Sequence, residues 1–305
     1  MSERAVPFGY YPRPLDITAG PVTIRTLPNL DETVTAIAQN EGLESGWLYA
    51  PPQGVRDFMS GEVRLRPYSS RVFGLPKTHE LAHTQSTIDA HLDFHLWSLS
   101  FFTGMRLTAT EAGFLDATPI EPGKLVDFVL LDDLAVAVEL AERFWVDHVA
   151  KPERAGLLAS AVHALFIAQY PQWLQFERFL YCYTALDACY ALAASLAPPK
   201  RKPTHAERTA WLCSQFGITV PPWATPQTMS QPVEVAAIRN ATLHEALFMG
   251  EPLGFALHGL GTGANLTLEM KALLCRLIVA LLGADGADYV RSAVNTRQRH
   301  GLRLS

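Results

Sequence analysis

The chain has 305 residues and a mass of 33.6 kDa, with 49% hydrophobic and 18% charged residues. This excludes a disordered or fibrous protein and leaves room for one large domain or two ordinary ones. Its 25 Lys and Arg against 30 Asp and Glu give a formal charge of -5, which excludes a globally basic nucleic-acid binder.

The charge is uneven along the chain. Residues 1–150 carry 11 basic and 20 acidic side chains, net -9, whereas 151–305 carry 14 and 10, net +4, so only the C-terminal half suits a polyanion. Residues 1–79 are rich in Pro and Gly, and the short runs at 21–25, 46–49 and 62–66, bounded by turn formers, predict strands. A helix is predicted over 86–102, then strands over 105–109 and 124–131, the latter after Glu121-Pro122-Gly123. From Asp132 onward apolar residues recur at helical spacing over 134–149, 153–169, 173–196, 205–216, 233–248 and 266–282. The pattern predicts an α+β chain. A strand-rich mixed domain over 1–140, whose role the pattern does not assign, precedes an all-α antiparallel helical bundle over 141–305.

Several helix ends are punctuated. Thr204 and Glu207 have capping-box spacing, and Gly217 closes the same helix; Ser230 and Pro232 open the next, with Gly250 after its end; Asn265 and Gly283 bracket the last long one. Residues 198–203 form a basic, proline-rich connector, and there is no internal repeat. The apolar runs 155–168, which contains His163, and 272–282, which contains Arg276, fall short of the roughly 18 residues a membrane span needs. Cys182, Cys189, Cys213 and Cys275 form no C-x-x-C pair, and no secretory leader is recognisable, so a reduced, cytoplasmic setting is expected.

Three polar residues, Arg239, Asn240 and His244, interrupt the apolar segment 233–248. Asn240 and His244, four apart, share a helix face, and Arg239 is offset by about 100°. These types suit phosphodiester chemistry: His moves a proton near neutral pH, Arg holds a phosphate through two hydrogen bonds, and Asn orients either partner. A polar network that only fixes packing would use the same residues.

The run Arg239-Asn240-Ala241-Thr242-Leu243-His244 resembles the Arg-x(4-6)-His motif of the HEPN superfamily of helical-bundle ribonucleases and RNA-binding domains, in which Asn often follows the Arg. The aromatic-rich helix 176–188, with Asp187, resembles an early helix of that superfamily, and the likeness covers roughly 150–285. A second Arg-x4-His, Arg143 to His148, lacks the Asn and precedes the bundle's opening helix, so it is read as a coincidence. The resemblance implies metal-independent attack of an RNA 2'-hydroxyl on the adjacent phosphodiester. His244 would act as acid or base, Arg239 would stabilise the phosphorane, Asn240 would position the phosphate or the imidazole, and Asp187 would orient His244 or Arg239. It also implies a homodimer whose two motifs face one cleft, a toxin, defence or stress role, and inertness toward DNA. A non-catalytic module binding RNA, a nucleotide or a partner protein is the alternative. Lys200, Arg201, Lys202, Arg291, Arg297, Arg299 and Arg303 are candidates for sequence-independent phosphate contacts.

His79, His83, His91 and His95 cluster in the front domain, and His91 and His95 have the i,i+4 spacing that can grip a transition metal. The sequence identifies no third ligand, and neither a metal nor another cofactor is expected. The run Gly259 to Gly263 lacks the strand and Lys of a phosphate loop and is read as an inter-helix loop. Trp145, Trp173, Trp211, Tyr181, Tyr183 and Tyr190 are expected in the core or at an interface.

Overall fold

The computed structural model describes residues 4–86, 88–226, 232–253, 266–296 and 298–304. The chain is mixed α+β and divides into two compact units, Met1–Leu125 and Val126–Ser305.

The first unit is built on an antiparallel sheet of β1 (Arg4–Phe8), β2 (Ile17–Ala19) and β3 (Val22–Thr26) with β9 (His79–His83), in the order β1-β9-β3-β2. Period-2 alternation puts His79, Leu81 and His83 of β9 on one buried face. Between β3 and β9 lie α1 (Leu30–Ala38), β4 (Leu43–Glu44), β5 (Trp47–Tyr49), β6 (Pro52–Arg56), β7 (Val63–Ser69) and β8 (Val72–Phe73). β6 and β7 pair as a hairpin that stays exposed along β7, with Phe58 and Met59 in its turn almost wholly in solvent. α2 (Asp89–Thr103) is buried nearly all round and ends at Gly104, whose φ of 62° closes it. β10 (Phe114–Leu115) pairs with β8, and β11 (Ala117–Pro119) with β5.

The strand expected over 105–109 does not form. The Ser100 hydroxyl at the end of α2 accepts from the Leu107 amide at 2.9 Å and reaches the Leu107 carbonyl at 3.2 Å, so a side chain takes the bonds a ladder would have made. Only a single bridge, Gly9 to Thr108, remains.

The second unit begins at Val126, upstream of the expected 140/141 boundary, because β12 (Phe128–Leu130) pairs in parallel with the C-terminal β15 (His300–Leu302). Its helices are α3 (Leu134–His148), α4 (Glu153–Ile167), α5 (Gln175–Leu196), α6 (His205–Phe216), α7 (Glu234–Asn240), α8 (Leu266–Val279) and the short α9 (Asp288–Arg291). Because it also carries β12, β15 and a small hairpin of β13 (Leu247–Phe248) and β14 (Glu251–Pro252), the unit is not all-α. α5 and α8 form its centre: Phe179, Cys182, Leu186, Cys189 and Ala193 recur at helical spacing on the buried side of α5, and Met270, Leu273, Leu277 and Ile278 on that of α8. α5 has the length and hydropathy of a membrane span, which the expected absence of one overlooked. It also carries Glu177, Arg178 and Asp187, and half of its most apolar window is buried inside the protein, as in a core helix.

Arg276 does not break the burial of α8. Fully enclosed, it donates to Asp127 Oδ2 at 2.8 Å, to the carbonyls of Ala272, Ser292 and Ala293, and to Ser292 Oγ, and lies over the Tyr289 ring. A buried guanidinium persists only when so satisfied, and here it ties the start of the unit to the segment after α9.

The Thr204–Glu207 capping box forms as expected, with the Thr204 amide 2.8 Å from the Glu207 carboxylate, and Gly217 closes α6 at a φ of 64°. Gly283 likewise takes a φ of 100° beyond α8. Ser230, Asn265, Arg297 and the Gly259 to Gly263 run lie outside the described residues.

Candidate functional site

The segment expected as one helix to Phe248 changes character at its polar residues. α7 ends at Asn240 and continues as a single π-helical turn, Ala241–Glu245, closed by the Ala246 amide on the Ala241 carbonyl. Thr242 Oγ donates back to the Ile238 carbonyl at 2.7 Å, a bond that bends helices. Ala246 then takes a φ of 56° and Met249 one of 55°, left-handed positions that strain a side chain. A π-turn and strained residues together are a frequent mark of a functional segment.

The turn has a direct consequence for the motif. Residues five apart on a regular α-helix point about 140° away from each other, whereas the π-turn brings Arg239 and His244 together. Arg239 Nη1 lies 3.1 Å from His244 Nε2 and 3.0 Å from Asn240 Oδ1. Because a guanidinium has no acceptor, it donates both bonds, so His244 Nε2 presents its lone pair. Val235, Ala236, Ile238 and Thr242 face inward, Arg239 is half-buried, and Asn240 and His244 are exposed. The polar residues therefore do not interrupt a buried face; they form an outward one.

A second polar group joins α5 to α6. The Tyr183 hydroxyl lies 2.7 Å from His205 Nδ1, and Arg208 Nη1 donates to Asp187 Oδ1 at 2.6 Å. Burial, reinforced by Asp187, pushes the Tyr183 hydroxyl up to about 12, so it keeps its proton. Burial lowers His205 below the usual imidazole range, and Arg208, Arg239 and Lys202 add to this against the pull of Asp187. The same charges, Arg239 included, bear on both groups, so the motif and the His205–Tyr183 pair share one predominantly positive field. Asp187 pairs with Arg208 rather than with Arg239 or His244.

His205 was missed in the sequence. Its signal was its place as the first residue of α6, just after the Thr204 cap and beside the basic connector. In that connector Arg201 is drawn to Glu207 at 2.5 Å, while Lys200 and Lys202 are exposed. Arg291, Arg299 and Arg303 are exposed, but residues 300–302 form β15, and the Leu304 amide reaches Asp132 Oδ2 at 2.5 Å, so this segment is docked rather than a free tail.

The other Arg-x4-His copy lies on the regular helix α3. Arg143 and His148 line a cleft of about 400 Å³ with Asp147, Asp285 and an apolar wall that includes Leu140 and Phe216. His148 packs on Phe144, with ring centroids 4.5 Å apart. Trp145 and Tyr190 are buried, whereas Trp173, which stacks on Tyr181, and Trp211, which Tyr190 meets edge-on, are half-buried, as is Tyr181. All four cysteines are free and buried; desolvation lifts the Cys182, Cys189 and Cys213 thiols to about 12, which keeps them protonated.

In the first unit the four histidines separate. His79 is fixed by Thr78 Oγ at 2.9 Å and the Arg13 carbonyl at 3.1 Å. His83, on a strand rather than in a loop, meets His91 and His95 of α2 in a buried cluster with ring centroids 4.4, 5.8 and 5.1 Å apart. The third imidazole that the sequence did not reveal is therefore His83.

No family model matches this chain, and comparison with curated proteins and with solved structures returned no match.

Proposed function

We propose that the second unit is a HEPN-like module acting as a metal-independent endoribonuclease, with Arg239, Asn240 and His244 as its centre. The observation that carries this reading is the 3.1 Å contact between Arg239 and His244 on an exposed surface. It places a phosphate-binding cation beside an imidazole lone pair where a polyanion can reach both. A phosphate entering the site competes for the guanidinium and releases Nε2. The imidazole then accepts the proton of the RNA 2'-hydroxyl as that oxygen attacks phosphorus. Arg239 stabilises the charge that develops on the phosphoryl oxygens, and Asn240 positions the phosphate. Cleavage of the bond from phosphorus to the 5'-oxygen leaves a 2',3'-cyclic phosphate, and the departing oxygen takes a proton from a second group.

His205, held by Tyr183 in the same positive field, is that second group in our reading, acting in its protonated form and becoming neutral as it gives up the proton. This gives each chain two imidazoles, with the homodimer implied by the resemblance joining two such sites. Asp187 acts at a distance, by fixing Arg208 and tempering the field at His205. RNA is the substrate, the setting cytoplasmic, and the role one in defence, toxicity or stress in which the first unit restrains the nuclease.

The test is cleavage of end-labelled RNA by the full chain in excess chelator, with single-stranded DNA as control and analysis of the product ends. Cyclic-phosphate ends that disappear in Arg239→Ala and His244→Ala support the proposal. RNA bound but left intact by wild type makes the unit a binding module instead.

A further inference from the structure

We infer that His83, His91 and His95 form a binding site in the first unit for a divalent d-block cation of the zinc and cobalt type. The three rings each bring a ligand nitrogen to within 4.8 Å of the others. All three are buried, at 1%, 5% and 2% exposure. Among the described residues, this is the one place where at least three metal-ligating histidines, cysteines or carboxylates converge.

The cluster is held in place by the fold. His83 ends the central strand of the sheet, where it pairs with Arg4 and Val22 on either side. The chain then turns into α2. His83 Nδ1 accepts from the amides of Gln85 at 3.1 Å and Ser86 at 2.8 Å, and Ser86 Oγ is bonded to both the amide and the carbonyl of Ile88. The His91 amide closes on the Ile88 carbonyl. One continuous set of bonds thus sets the first ligand against the helix that carries the other two, and i,i+4 spacing puts His91 and His95 on one face of that helix.

The donor set selects the ion. Imidazole nitrogens suit zinc, cobalt, nickel or copper, whereas calcium and magnesium require oxygen ligands. Three nitrogens fill three of the four positions such a cation takes in tetrahedral sites, and the fourth is open to an oxygen donor or water. With two backbone donors on Nδ1, His83 carries its ring proton on Nε2, the nitrogen left for the cluster. A cation bound there displaces that proton and takes the ring as an imidazolate, whose charge the two amides on Nδ1 stabilise, so uptake releases one proton per ion. The site is separate in sequence from Arg239 and His244, and neither proposal depends on the other.

The experiment uses the full chain, stripped with chelator, dialysed and titrated with Zn2+ or Co2+. Expected are one ion per chain, a rise in Tm, visible d–d bands of four-coordinate Co2+, and X-ray absorption of the bound ion that fits three imidazoles. His91→Gln with His95→Gln is expected to weaken binding by tenfold or more. Absence of stoichiometric uptake by folded wild type overturns the inference, as does a bound ion that sees one imidazole or none, or unchanged affinity in the folded double variant. Should that variant fail to fold, the absorption measurement on wild type decides alone.

Discussion

The chain contains the same spacing twice, and the two copies end up in different chemistry. On α3, Arg143 and His148 sit on a regular helix and line a cleft whose wall is largely apolar. After α7, Arg239 and His244 straddle a π-turn and touch at 3.1 Å on an exposed face. The difference teaches that what an Arg-x4-His spacing brings together depends on the local winding of the backbone, because residues five apart diverge by about 140° on a regular α-helix and by less on a π-turn.

The largest expected effect comes from breaking that pair. His244→Ala or Arg239→Ala should lower RNA cleavage by about 10²- to 10⁴-fold, the usual worth of a positioned acid–base group, with little change in thermal unfolding. His148→Ala, measured in the same assay, should leave cleavage within about twofold of wild type; a large loss there would transfer the proposed site to the α3 cleft.

Next in size is His205→Gln, which removes the proposed second proton-transfer group while leaving the α7 pair intact. Cleavage should fall by about 10- to 100-fold, and the alkaline limb of the pH profile should change. The stability of the two proteins should also diverge with pH. Because the folded protein holds His205 below the ordinary value of 6.5, the unfolded chain binds more protons between the two values. Wild type should therefore lose stability relative to His205→Gln as pH falls below 6.5, while the difference stays constant above it. An identical pH dependence of urea midpoints in the two proteins would remove the basis for a neutral, shielded imidazole.

A smaller effect is expected from Asp187→Asn. The partnership with Arg208 lies partly in solvent, so the stability cost should be at most about 1 kcal/mol. Without the carboxylate, His205 should titrate lower still, which shifts the alkaline limb of the rate profile toward lower pH. An unchanged profile would reduce Asp187 to a structural partner of Arg208.

The smallest effect concerns the turn itself. Ala246 sits at a φ of 56°, and Ala246→Gly should stabilise the protein by about 0.5–1 kcal/mol with cleavage preserved. Destabilisation would mean that the left-handed geometry beyond the π-turn is absent in solution.

The sequence by itself determined what local chemistry encodes. Helical periodicity marked α3 to α6 and α8, short runs bounded by turn formers marked β3, β5 and β7, and the Thr204, Gly217 and Gly283 punctuation read correctly because caps and positive φ depend on a few neighbouring residues, whereas Gly250 turns the hairpin of β13 and β14 instead of ending a helix. It also put Asn240 and His244 on one helix face, whereas the approach of Arg239 to His244 required the π-turn that no residue pattern announced. Tertiary structure decided the rest. Ser100 could displace a strand at Leu107 only once α2 was folded, and β12 found its partner 172 residues downstream, at the other end of its unit, a pairing no local pattern announces. His205 joined Tyr183 across two helices, Asp187 took Arg208, and His83 reached His91 and His95 from a strand, because side chains distant in sequence meet only when buried faces pack.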